Sequence, residues 1–415
     1  MARRRIGILT GLIVTVLCSA STLLAITINI DYTYDTNNFF GTGNPDGPTA
    51  GAQARASLEA AAANFTAILN DSFTSIQTPD PFFSATFNGL EIWSWTMTFT
   101  QPTTGEPVSL VDQTIQTDEY RIYAGARSLS GNTLGIGGPG GFGWNSNPFG
   151  GFTSAESTQL NQITADFSNA VETRGETSGF ANWGGAVTFD RDATTTWHYD
   201  HTTPPTSGSN DFFSVATHEL AHALGFGASQ SWNDWVTGTV FTGPNAASEY
   251  GGDVPLDCDL NGCSGHWAEG TDSVVLGTSM AQETAMDPKL TTGTRKRLTA
   301  LDAAGLADLG WSLVAPAILE ADFDRDGDVD DADLVRWKTY FGGSAMADAD
   351  GDGDSDGADF LFWQRQFGSG ASLVSTFASV PEPSSGWLLL LGSACLIPVR
   401  KPPVLLSRNY LTCNK

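Results

Sequence analysis

Around Ile26 the chain alternates apolar and polar side chains in the run AITINIDYTYD, the period of a half-buried strand. The next stretch, ARASLEAAAANFTAILNDSF, is alanine-rich with apolar positions at helical spacing and predicts a helix. Three later runs, LEIWSWTMTFT, EYRIYAGA and GGAVTFD, read as strands separated by turn residues. Between the last two lies GIGGPGGFGWNSNPFGG, whose glycines are not followed by Lys-Ser/Thr. That excludes a phosphate cradle, and the stretch is expected to be a surface loop. SNDFFSVATHELAHALGF carries the clearest helical pattern: Asn210 or Asp211 can cap its start, and Gly225 can end it by turning left-handed. RKRLTALDAAGLADLGW predicts another helix, with Thr299 or Asp302 near its start and Gly310 at its end. The expected fold is α+β over residues 26–316, with an α/β-like N-terminal part, before Ala- and Pro-containing linker residues.

Charge changes this picture at one place. The 415 residues carry a formal charge of −26, which argues against a nucleic-acid partner. Thirteen aspartates fall between Asp322 and Asp359, so one segment holds much of the acid. That segment is a repeat. Asp322, Asp324, Asp326, Gly327, Asp328, Asp330 and Asp333 recur 26 positions later as Asp348, Asp350, Asp352, Gly353, Asp354, Asp356 and Asp359. Trp337 and Phe341 recur likewise as Trp363 and Phe367. Oxygen side chains at alternate positions around a central glycine are the pattern of a calcium loop, in which about six to eight oxygens surround a hard cation. Each loop runs into an amphipathic stretch, so two calcium ions and two loop–helix halves are expected over residues 320–370. With Asp in place of Glu at the final ligand position, the unit resembles a type I dockerin. The resemblance implies a small all-α domain and a cohesin-like partner module.

Both ends read as address labels. MARRRIGILTGLIVTVLCSASTLLA has a basic front, an apolar stretch and small residues at its end, the marks of a signal peptide over residues 1–25. After a linker at 371–380, residues 381–415 open with Pro381, Glu382 and Pro383. An apolar run from Trp387 to Val399 and then Arg400 and Lys401 follow. This resembles a PEP-CTERM sorting signal, which implies an exosortase-type enzyme as partner in a bacterial envelope. The expected location is secreted or attached to the cell envelope, with membrane contact only through these terminal signals. Of five cysteines, Cys258 and Cys263 lie in the expected mature body, and Asn261-Gly262 between them favours a tight turn, so a local disulfide is expected.

The candidate chemistry is HELAH. His218 and His222 lie one helical turn apart and can reach one zinc ion, and Glu219 beside them can serve as a general base. Only His198, His201 and His266 remain as a third imidazole. HELAHALGF resembles the metzincin metallopeptidases, which end the active-site helix at a glycine equivalent to Gly225 and take a third histidine shortly after. Ala228 stands where that histidine is usual. Leishmanolysin-like members place it far downstream on an inserted loop, and here the matching text is SGHWAEG, with His266 41 residues beyond Gly225. The family's methionine turn corresponds to Met286 in ETAMDPKL, with Met280 the alternative, followed by the C-terminal helix. Order and spacing favour His266 over His198 and His201. The resemblance implies a twisted, mostly parallel sheet with one antiparallel edge strand at the cleft. It also implies one catalytic zinc and a protein or peptide substrate. The alternative function is a non-catalytic surface or matrix protein with a structural zinc site and dockerin-mediated protein binding.

Overall fold

The computed structural model describes residues 26–369 apart from 87–88, 147–151, 175–182, 260–261, 279, 315–318, 325–328 and 344. The expected signal peptide, Asp326, Gly327 and Asp328, and the linker and sorting segment from 371 onward lie outside the described residues. The alternating run after Ile26 becomes the strand Thr27–Asp31, which pairs in parallel with Glu119–Arg127. Glu119–Arg127 pairs in parallel with Gly184–Asp190, and Gly135–Pro139 closes the row as an antiparallel edge. The chain is therefore a mixed α+β protein with a mostly parallel four-stranded sheet.

The two central strands are buried almost continuously, as expected for a sheet covered on both faces. Ile122, Ala124, Ala126, Val187 and Phe189 share a core with the helices Pro48–Ile68 and Phe212–Ala223. Tyr123 and Trp183 point the other way. There they meet Trp95, Met97 and Phe99 of an antiparallel three-stranded sheet and Phe167 of the helix Ser154–Glu172. That helix is fixed at its start by a capping box between Thr153 and Glu156. The region up to Val314 closes on itself at its end: Leu313 bridges Leu69, and the Trp311 indole donates to the Leu224 carbonyl.

One expectation fails here. The glycine-rich stretch is not a surface loop but two strands, Gly135–Pro139 on the main sheet and Gly141–Ser146 on the second. Glycines hide the alternation that marks a strand, and the edge needs them. A Cβ on Gly137 would lie 2.1 Å from the Glu219 carbonyl oxygen, a main-chain atom that cannot rotate away. Gly138, next in line, has nothing within 4 Å of an added Cβ. Gly137→Ala is therefore expected to lose about 1–3 kcal/mol through overpacking, and Gly138→Ala to lose far less. Urea unfolding of the two variants checks this, and equal losses would remove the close-approach explanation.

The aspartate repeat forms the helices Asp331–Tyr340 and Gly357–Gln366, joined through a short 3-10 turn at Ala345–Ala347. It has its own small core of Ala321, Phe323, Val329, Ala347 and Ala349. The halves brace each other reciprocally. The Trp337 indole donates to the Asp356 carbonyl at 2.8 Å, and the Trp363 indole to the Asp330 carbonyl at 2.7 Å. Among the described residues no helix is long and apolar enough to cross a membrane.

Candidate metal centre

The HELAH helix, Phe212–Ala223, starts at Asp211, whose side chain accepts the Ser214 N–H, and stops where Gly225 takes φ 96°. Asp211 is fully buried, and Arg295 grips it through Nε at 3.0 Å and Nη2 at 2.8 Å. Lys296, the next residue, donates its N–H to the Ser214 hydroxyl and sends Nζ toward Glu283 and Asp287. Two adjacent cations thus tie the start of the helix to the segment that follows Met286.

The turn after the helix brings the third histidine into reach. Gly227 and Gly265 sit back to back: a Cβ on Gly227 would lie 2.0 Å from the Gly265 carbonyl oxygen, and one on Gly265 would lie 2.6 Å from that of Gly227. Both have positive φ, so glycine suits them on two counts. Gly265 belongs to the strand Gly262–Trp267, paired with Val254–Asp259 in a hairpin that the Cys258–Cys263 disulfide bridges, as expected. Beneath the hairpin, Trp267 packs edge-on against Phe226 with centroids 5.0 Å apart, and Trp232 stacks on Phe241 at 4.3 Å.

With the strand seated, three nitrogens converge. His266 Nε2 lies 3.0 Å from both His218 Nε2 and His222 Nε2, which are 3.1 Å from each other. The remaining two histidines have other partners. His198 Nε2 meets the Thr203 carbonyl, and His201 stacks on Phe213 and contacts Ser57. The Nδ1 atoms of His218 and His222 face the carbonyls of Ala285 and Phe226, both at 2.8 Å. A carbonyl only accepts, so each Nδ1 carries the proton and each Nε2 presents a lone pair. Burial lowers all three histidines, His218 well below its ordinary value and His222 to about 4, which keeps them in the neutral form that ligates. Imidazoles around a tetrahedral zinc stand about 3.3 Å apart. The donor set, its tautomers and its spacing fit zinc.

No family model, curated protein or solved structure matches this chain.

Glu219 is buried at 5 % exposure, and burial pushes its carboxyl up to about 8, opposed by the Gly137 N–H that it accepts. The edge strand Gly135–Pro139 thus runs directly past the candidate base. Met286, rather than Met280, adjoins the triad: it is fully buried, and the preceding residue, Ala285, holds His218.

Sequence reasoning missed Asp302 as the hub of this arrangement. Its Oδ1 accepts the Trp267 indole at 3.0 Å and the Met286 N–H at 3.2 Å. Its Oδ2 accepts the Ala285 N–H at 2.9 Å and both Thr299 donors, at 2.9 and 2.7 Å. One carboxylate joins the His266 strand, the methionine segment and the start of the helix Ala300–Asp308. Burial drives its pKa up, and the bonds from Thr299, Ala285 and Met286 pull it back. Only the Thr-x-x-Asp spacing hinted at it, and that signals a helix cap. Asp302→Ala strands several buried donors and is expected to cost about 3–5 kcal/mol. Chemical denaturation checks this, and a loss below about 1 kcal/mol would refute the hub.

The aspartate repeat brings its carboxylates together in sets: Asp322, Asp324 and Asp333 in the first half, Asp348, Asp350 and Asp359 in the second, with Asp354 and Asp356 also near Asp359. Asp333 and Asp359 are fully buried and accept main-chain N–H groups within their own loops. Asp330 and Asp356 also cap the following helices. Asp354 is raised from its ordinary value, chiefly by the charge of Asp352 beside it. Crowded acidic oxygens around a turn fit calcium, which needs that charge and that donor.

Proposed function

We propose that this chain is an exported zinc-dependent endopeptidase of the metzincin type, with a leishmanolysin-like distant third ligand, that carries a calcium-binding, dockerin-like docking module. The observation that carries the reading is the convergence of His218, His222 and His266 through Nε2 beside a buried glutamate. The antiparallel edge strand next to the active-site helix supports it, as does the buried Met286 beside the ligand-holding Ala285.

A zinc ion held by the three imidazoles supplies Lewis acidity toward a water and the scissile carbonyl. The chain's own groups do the rest. His218 and His222 keep their Nδ1 protons on carbonyls, so their Nε2 lone pairs stay aimed inward. Glu219, ionised with the help of the Gly137 N–H that it accepts and of the cation that the imidazoles would hold, takes the proton from the attacking water. It then passes that proton to the leaving amine. Gly135–Pro139 has no further strand on its outer side among the described residues. An extended peptide can pair along that edge and lie beside Glu219.

The repeat, with its paired loops and reciprocal tryptophan braces, supports a docking role toward a cohesin-like module. The terminal signals support export to a bacterial envelope and processing by an exosortase-type enzyme. The charge of −26 supports a protein substrate rather than nucleic acid. The deciding assay compares hydrolysis of an unfolded protein by the parent and by Glu219→Gln at equal zinc content. Equal rates above background would remove Glu219 as the base, and no hydrolysis by the parent would end the peptidase reading and leave a structural zinc site.

A further inference from the structure

We propose that Asp257 and Ser264 are positioning residues for His266, acting as a two-step hydrogen-bond relay that aims its Nε2. The proposal rests on the reading of His266 as a metal ligand.

The three imidazoles are not held alike. His218 and His222 are fixed by main-chain carbonyls, whose places are set by backbone packing. His266 also bonds the Ser264 main chain, but its Nδ1 in addition meets a side chain, the Ser264 hydroxyl, at 3.0 Å. That hydroxyl lies 2.8 Å from Asp257 Oδ2. Ser264 stands two residues before His266 on one strand, and the positive φ of Gly265 between them lets the two side chains meet. Asp257 comes from the facing strand.

Proton accounting gives the relay a direction. A carboxylate accepts only, so the Ser264 O–H donates to Asp257. The hydroxyl oxygen is then left to accept, and His266 Nδ1 must bring the proton. Its Nε2 is therefore the unprotonated nitrogen, in agreement with its place against His218 and His222. The negative charge on Asp257 strengthens both bonds and makes the imidazole a better donor of its lone pair. The disulfide lies directly beside the relay, since Asp257 precedes Cys258 and Ser264 follows Cys263. The cross-link thus keeps the two partners opposite each other across the hairpin.

The test measures zinc affinity of the full chain by competition with a chromophoric chelator, with thermal unfolding of each variant alongside. Ser264→Ala and Asp257→Asn are each expected to weaken zinc binding about tenfold. Their combination should weaken it no further than either alone, because both break one relay. Ser264→Thr, which keeps the hydroxyl, should bind within about threefold of the parent. Parent-like affinity in Ser264→Ala and Asp257→Asn, with zinc lost in His266→Ala, would overturn the relay alone. Full zinc affinity in His266→Ala would overturn the relay together with the ligand reading beneath it. Weakening of Ser264→Thr to the level of Ser264→Ala would also overturn it, since packing rather than the hydroxyl would then be responsible.

Discussion

Glu219→Gln is expected to bind zinc as the parent does and to hydrolyse an unfolded protein about a hundred- to ten-thousand-fold more slowly. The substitution is close to isosteric. The glutamine carbonyl can still accept the Gly137 N–H, and the amide occupies the space that Gly135 leaves open beside the carboxylate. The three imidazoles keep their orientation, because their Nδ1 atoms are held by Ala285, Phe226 and Ser264 rather than by Glu219. What disappears is the carboxylate proposed to accept a proton from water and return it. Alanine is a poorer test, since it also opens a cavity beneath the edge strand. Zinc content, thermal stability and turnover measured together separate the outcomes. Unchanged turnover with unchanged zinc would mean that another group handles the proton, and the proposed mechanism would fall.

Removal of calcium is expected to unfold the aspartate repeat and leave the region up to Val314 folded. Among the described residues the repeat's core buries only three alanines, Phe323 and Val329, with larger side chains such as Trp337 and Trp363 half-buried around them, too little to offset the entropy of ordering its chain. Against that stand thirteen aspartates in the interval from Asp322 to Asp359. A divalent cation in each loop would convert their repulsion into the main source of order. Limited proteolysis of the full chain after metal removal should give new cuts within residues 320–370. Adding back calcium, but not zinc, should protect them. The histidine region has its own large core and closes through Leu313 on Leu69, so it should resist the same protease dose. Unchanged resistance of the repeat in the calcium-free protein would refute the calcium role.

Much of this arrangement was legible from residue pattern because the signals were local. The strand after Ile26, the HELAH helix with Asp211 and Gly225 at its ends, and the helix starting at Thr299 each announce themselves within a few residues. The triad was legible for a different reason: five histidines leave few choices, and the candidate in SGHW is the one that the fold brings to His218 and His222. What escaped was set by partners distant in sequence. Gly137 looks like any loop glycine until the backbone of Glu219 is beside it. Asp302 reads as a cap because its other donors, Trp267, Ala285 and Met286, are far upstream. Arg295 and Lys296 look like a solvated basic pair, yet one grips Asp211 and the other Asp287. Local pattern reports local hydrogen bonds and says little about which carboxylate a buried cation will find.

The 44-position separation of His222 and His266 also sets a clock. The first two imidazoles come into register when a single helix forms, an event of about a microsecond. The third arrives only after the intervening chain has closed and the hairpin has settled against Gly227, which is slower because a long loop must be ordered first. A molecule that has formed this helix but not yet closed that loop has an incomplete triad. Under the proposed activity, neighbouring unfolded chains are safe from it during that stage, and the order of folding itself delays the onset of cutting until the enzyme is no longer a good substrate.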